Sequence, residues 1–124
     1  MKDRVYVIGV GMTPIVKQEG GSYEHLCNVA ISEALEDAGL NHKGGKDTIG
    51  GIWYGNCAQG MMTSQHCVRG QVVLRRLGFE CMPVVNVENA CATASTALNQ
   101  AIHYVLAGGA DLTLAVNIKK TLPN

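Results

Sequence analysis

Apolar and polar positions along this chain switch between two periods, and the switches mark its elements. From Arg4 to Val10 the residues are apolar and β-branched without polar alternation, which suits a strand covered on both faces and predicts a central parallel strand. Tyr23, Leu26, Cys27, Ala30, Ile31, Ala34, Leu35 and Ala38 then recur at helical spacing. Ser22 is the candidate N-cap, Glu24 stands in the first turn and Gly39 supplies the stop. This predicts an amphipathic helix of roughly four turns, with Glu33, Glu36, Asp37 and His25 towards solvent and Cys27 packed in the core. After a polar loop over Asn41 to Asp47, Thr48 to Gly55 resumes strand character, its Gly50-Gly51 marking a bulge or a close backbone approach. Asn56 to Cys67 is the least regular stretch and reads as a mobile or interface loop. Val68 to Leu77 predicts a short helix stopped by Gly78, with Arg69, Arg75 and Arg76 outward.

Val84 to Val116 reads strand, sharp turn, helix, strand, with Gly108-Gly109 ending the helix and Asp111 to Val116 forming the last strand. The succession of strands and helices predicts the α/β class: a mixed or parallel sheet with helices on both faces. No Asp, Glu, Lys or Arg occurs from Asn89 to Ala110. Ala94, Ala97, Leu98, Ala101, Ile102 and Val105 form a wide small-residue face on this helix, and Thr96, Asn99, Gln100 and His103 a narrower polar one. An outward helix normally carries charge on its polar face. This one is therefore expected to be largely buried.

Cys91 stands where the strand becomes that helix. Unpaired N–H groups of a helix's first turn, together with its dipole, stabilise a thiolate. An ordinary thiol titrates near about 8.5, and helix N-termini lower this by one to several units. Cys91 is thus the candidate nucleophile, against the alternative that it is one more buried small hydrophobe.

Other chemistries find less support. Gly9-Val10-Gly11 invites a dinucleotide-binding reading, but the third glycine of that motif would fall on Pro14, so a glycine turn leaving the strand is preferred. Cys57, His66 and Cys67 lack the close ligand pairs of a zinc site, and no metal is expected. Ten basic residues balance ten acidic ones, so neither a nucleic-acid footprint nor a basic membrane patch is implied. Aromatics make up 5% against 47% apolar residues, pointing to a core of Val, Ile, Leu, Ala and Gly. Five cysteines without a CxxC pair, behind a charged start and no signal peptide, make a reduced, cytoplasmic setting the expectation. The uncharged run has the length of a bilayer span but too many Asn, Gln, His, Gly and Thr, and no membrane span is expected.

The segment Val84-Val85-Asn86-Val87-Glu88-Asn89-Ala90-Cys91-Ala92-Thr93-Ala94-Ser95-Thr96-Ala97 resembles the nucleophile segment of the thiolases, sterol-carrier-protein-type thiolases and their bacterial relatives above all. Val5 to Pro14 resembles the family's opening strand, and Gly70-Gln71 with Arg75-Arg76-Leu77-Gly78 its next helix, so nearly the whole chain is covered. Ala94 stands where the family usually has Gly, and Asn117 to Lys120 replaces a Gly-x-Glu-Lys segment.

The resemblance implies a partial thiolase-like domain over residues 1–124, the C-terminal half of the fold lying elsewhere. It implies an acyl-CoA C-acyltransferase in which Cys91 carries the acyl group as a thioester. Coenzyme A thioester is then a substrate, with no permanently bound cofactor. The family's other catalytic motifs, a His in Gly-His-Pro and a Cys in Cys-x-Gly, do not occur in the 124 residues. His103 lies three helical turns beyond Cys91, about 16 Å along the axis, too far to reach its sulfur. A homo-oligomer or a complementing thiolase-type chain is expected to cover the uncharged helix. The alternatives are a catalytically silent domain for acyl or sterol binding or assembly, and part of a CoA-ester retro-aldolase.

Overall fold

The computed structural model describes residues 4–16 and 21–120; the charged start at Met1 to Asp3 lies outside them. The elements run α1 (Tyr23–Asp37), a 3-10 turn (Lys46–Thr48), β1 (Ile52–Gly55), α2 (Gln59–Thr63), α3 (Arg69–Arg76), β2 (Val84–Val87), a second 3-10 turn (Ala90–Ala92), α4 (Thr93–Leu106) and β3 (Leu114–Asn117). The strands form one parallel sheet in the order β2-β1-β3. Ile52 pairs with Val84 on one edge of β1 and with Leu114 on the other.

Because side chains alternate across a strand, β1 divides the core in two. Ile52 and Tyr54 point into a cluster with Leu26, Cys27, Ile31 and Leu35 of α1 and Val73 and Leu74 of α3. Trp53 points the other way, against Ala97, Ala101 and Tyr104 of α4 and Val87 of β2. All four β1 residues are buried, as a central strand requires. Helices thus cover both faces, as expected for the α/β class.

Local signals account for the helix limits. Ser22 Oγ accepts from the His25 N–H at 3.1 Å, and Gly39, Gly78 and Gly108 take positive φ after α1, α3 and α4, where glycine is unhindered. The arginines of α3 answer to nearby carboxylates: Arg76 pairs with Glu24 of α1, and Arg75 lies 3.6 Å from Glu80. At Gly70 a Cβ would stand 2.6 Å from Tyr54 Cβ, so glycine there lets α3 settle onto β1. Gly50 is likewise a close approach, since its Cβ would meet Ala110 Cβ at 2.6 Å.

The expected central strand at Arg4 to Val10 is not in the sheet. The segment is devoid of regular structure and runs along α1, where the Val10 N–H donates to Asp37 Oδ2 (2.9 Å) and the Met12 N–H to Glu33 Oε2 (2.7 Å). Carboxylates expected to face solvent thereby replace a strand neighbour. Gly9 and Gly11 serve close approach to the helix and not a turn: a Cβ there would lie 2.3 Å from Ala34 O and 2.1 Å from Ala30 O. Between this segment and β3 lies a cavity of about 450 Å³, lined by Val5 to Gly11, α1, α4 and Leu112 to Asn117. Tyr6, Val7, Ile8 and Val10 remain exposed.

Within this chain α4 is covered from the sheet side. Thr93, Ala97, Ala101 and Val105, four residues apart, are buried, whereas Ser95, Leu98, Asn99, Gln100 and His103 are exposed. No described helix is long and apolar enough to cross a membrane.

Cys27 is fully buried as expected, and that burial pushes its thiol up to about 12. A raised thiol value favours the neutral form in the folded protein, so its stabilising contribution is complete below the unfolded value near about 8.5. It is lost as pH rises from there towards 12. Urea titrations of wild type and Cys27→Ala should therefore show a stability gap that is constant between pH 6 and 8 and narrows above about pH 9.

Candidate active site

Parallel pairing brings the carboxyl ends of all three strands to one edge, the edge at which open α/β sheets place their ligands. There β2 leaves the sheet at Val87 and turns through Glu88 and Asn89 into the 3-10 turn Ala90–Ala92, which runs directly into α4. Cys91 occupies the middle of that turn and is exposed. The sequence places it at the mouth of the helix; in the structure only Ala92, the last residue of that turn, separates it from the first α-helical residue, Thr93.

The turn is held by short-range bonds. Glu88 Oε1 accepts the Ala90 N–H at 2.8 Å, and the Ala92 N–H donates to Asn89 O at 2.9 Å. Thr93 Oγ1 accepts from the Asn89 N–H at 2.9 Å and donates to Ala90 O at 2.7 Å. Thr96 Oγ1 accepts from Asn89 Nδ2 and donates to Ala92 O, both at 2.9 Å. Ala90 itself has φ +45°, a conformation that residues with a Cβ seldom adopt.

Beneath the turn lies Asn56, 1% exposed, immediately after β1. Its N–H donates to Val87 O at 3.1 Å and its Nδ2 to Ile118 O at 2.8 Å. Its Oδ1 accepts from the N–H groups of Ala58 (3.0 Å) and Gln59 (2.6 Å) at the start of α2. Its side chain thus ties the residue after β3 to the start of α2, while its backbone N–H carries the sheet ladder on to β2. Beside it, Gln59 Oε1 accepts the Tyr54 hydroxyl at 2.8 Å, and burial drives the Tyr54 phenol well above its ordinary value. Asn86 performs a similar task for α3, accepting from the Gly70 N–H at 2.6 Å and donating to Gln71 Oε1 at 2.7 Å.

The linear pattern singles out neither Asn56 nor Asn86, and α2 lies within Asn56 to Cys67, expected to be the least regular stretch. An Asn at a strand end, two and three residues before a helix start, is the available signal for the first; the second has none in the linear pattern. Three of the four histidines are engaged elsewhere. His103 Nδ1 lies 2.8 Å from Asn99 O on α4, His42 Nδ1 lies 3.1 Å from Lys43 O, and His66 packs against Gly60. Among the described residues no three His, Cys, Asp or Glu side chains are grouped to hold a metal. All five cysteines are free.

This is an α/β domain with a parallel sheet whose carboxyl edge presents an exposed cysteine on a tightly bonded turn. A family model described as "Thiolase, N-terminal domain" matches residues 5–120, and the chain belongs to the thiolase family. It is 34% identical to bovine sterol carrier protein 2 over 97% of its own length and 21% of that protein's. It is 32% identical to an acetyl-CoA acetyltransferase from Methanocaldococcus jannaschii, over 97% of this chain and 29% of the relative. To a benzoylsuccinyl-CoA thiolase subunit from Thauera aromatica it is 30% identical, over 94% and 28%. The chain therefore spans between about a fifth and under a third of the length of these relatives.

Removing the Asn56 side chain leaves the Ile118 carbonyl and the α2 N–H groups without partners, each loss worth about 1 to 3 kcal/mol where the group stays dry. Asn56→Ala should lower stability to chemical denaturation by at least about 2 kcal/mol, while an exposed control such as Asn99→Ala changes it by under about 0.5 kcal/mol.

Proposed function

We propose that this chain is the nucleophile-bearing part of a thiolase-type acyl-CoA C-acyltransferase. The observation that carries the reading is the exposed placement of Cys91 on the turn between β2 and α4, at the carboxyl edge of the sheet. Family membership over residues 5–120 supports it.

In the acylation step the Cys91 sulfur, as thiolate, attacks the carbonyl carbon of an acyl-CoA thioester. The new carbon–sulfur bond forms as the bond to the coenzyme A sulfur breaks, and the departing coenzyme A thiolate takes up the proton that Cys91 gave up. No electrons are exchanged with a third party. Claisen condensation or thiolytic cleavage then requires an acid–base group and donors for the enolate and thioester oxygens. The resemblance allots these to motifs that do not occur in this sequence, so the complete reaction calls on further polypeptide. Incubation with acetyl-CoA followed by intact-mass measurement should show one acetyl group per chain, absent in Cys91→Ser. An adduct that persists in that variant, or none in wild type with any acyl-CoA, overturns the assignment.

A second reading, a domain that binds acyl or sterol groups without turning them over, is favoured by the apolar cavity of about 450 Å³ beside β3. Saturable binding of a fluorescent fatty-acyl probe with no adduct on Cys91 would select it.

The same surface bears on partners. Tyr6, Val7, Ile8, Val10 and Leu98 are exposed together with the uncharged flank of α4, and each large apolar side chain left in water forgoes roughly 1.5 to 3 kcal/mol. We expect a second copy or a thiolase-type partner to cover them. Sedimentation equilibrium should report a mass above that of the monomer; a stable monomer that binds no hydrophobic dye is the contrary result.

A further inference from the structure

We infer that Thr93, seconded by Thr96, is a positioning residue whose hydroxyl holds the Cys91 turn in its reactive shape. This rests on the reading of Cys91 as nucleophile and adds the device that presents it.

The two threonines bracket the cysteine. Each hydroxyl accepts a hydrogen bond from Asn89, one from its backbone N–H and one from its side-chain amide. Each then donates to a carbonyl flanking Cys91, Thr93 to Ala90 O and Thr96 to Ala92 O. Asn89 on one side of Cys91 is thereby tied to the first turn of α4 on the other. Thr93 is the stronger member, because it is 3% exposed and one of only three buried polar residues among those described. Its methyl group is also lodged against the central strand: a Cβ at Gly55 would lie 2.9 Å from Thr93 Cγ2. The side chain thus connects β1 to the turn.

Backbone held at positive φ persists where its surroundings over-determine it, and such positions gather at functional sites. Ala90 is the residue so held here. Its carbonyl takes two bonds, from the Thr93 backbone N–H and from the Thr93 hydroxyl; deleting the hydroxyl removes one of them together with the acceptor of the Asn89 N–H, which loosens the hold on positive φ and with it the place of Cys91. A hydroxyl in this position does what a packing group alone cannot, since only an oxygen can both accept from Asn89 and donate to Ala90.

The test separates those two roles on the full chain. Thr93→Val keeps the branched shape and deletes the hydroxyl, whereas Thr93→Ser keeps the hydroxyl and deletes the methyl. The measurement is site-resolved alkylation by iodoacetamide at pH 7.5, read by peptide mass spectrometry. Buried Cys27 reports integrity of the fold, and exposed Cys67 reports general reactivity. In Thr93→Val the Cys91 rate should fall about tenfold relative to Cys67, because thiol reactivity depends on access and on the groups around the sulfur and the turn that sets both is loosened, with Cys27 still protected. Thr93→Ser should stay within about twofold of wild type, and surface-facing Thr96→Val should fall about threefold.

An unchanged Cys91 rate in Thr93→Val with Cys27 protected overturns the inference, as does an equal loss in Thr93→Ser. If Thr93→Val exposes Cys27, the decision passes to Thr96→Val and Thr93→Ser: loss in the first with retention in the second supports the inference, and any other pattern overturns it. Alkylation needs no acyl-CoA. A wild type that alkylates at Cys91 but never acylates therefore defeats the acyltransferase reading without touching this one.

Discussion

A fully buried carboxamide at the ends of parallel strands can stay in place only if its polar atoms are bonded, and the Asn56 side chain meets that condition through the Ile118 carbonyl and the first amides of α2, while its backbone N–H bonds Val87 O. Its side-chain bonds set the residue after β3 against the start of α2 at the carboxyl edge, and its backbone bond sets the end of β1 against that of β2. The turn carrying Cys91 starts at Ala90, three residues after Val87, so its height above the sheet follows from the backbone bond between the Asn56 N–H and Val87 O. Desolvated hydrogen bonds of this kind specify geometry because the alternative arrangement leaves a buried group unsatisfied.

The two sides of the sheet are built differently. Towards α1 and α3 the contacts are large: Ile52, Tyr54, Leu74, Phe79 and Val116 interlock, and Gly70 removes the one Cβ that would hold α3 off. Towards α4 the facing residues are Ala97 and Ala101, with Trp53 stacked at a tilt on Tyr104, ring centres 5.1 Å apart. Small residues let α4 lie close to the sheet. Thr93 at its start is consequently within reach of both β1 and the preceding turn.

The segment before α1 shows what happens when an apolar stretch lacks a sheet neighbour. Its N–H groups need acceptors, and the nearest are carboxylates of α1, so it follows the helix and leaves an apolar cavity along the edge of β3. The result is a molecule with one closed core face and one unfinished edge.

Much of this was written in the linear pattern. The spacing of Tyr23, Leu26, Cys27, Ile31 and Leu35, the cap at Ser22 and the stops at Gly39, Gly78 and Gly108 are local effects, decided by residues within a few positions of one another. For that reason α1, α3, α4 and the strands around Val84 and Leu114 could be placed from sequence, and so could Cys91 at a strand-to-helix junction. Other features depend on partners far along the chain. Whether Arg4 to Val10 becomes a strand is settled by what lies beside it and not by its β-branched content. Asn56 joins Ile118 from 62 positions away, and Asn86 meets Gly70 from 16. Glu33 and Asp37 face solvent as their spacing predicts, but that each also accepts an N–H from the segment before α1 is not visible in that spacing. Local propensity and period are properties of short stretches of chain, whereas hydrogen-bond acceptors for a buried or edge group are supplied by whatever the fold brings near, and only the tertiary structure decides that.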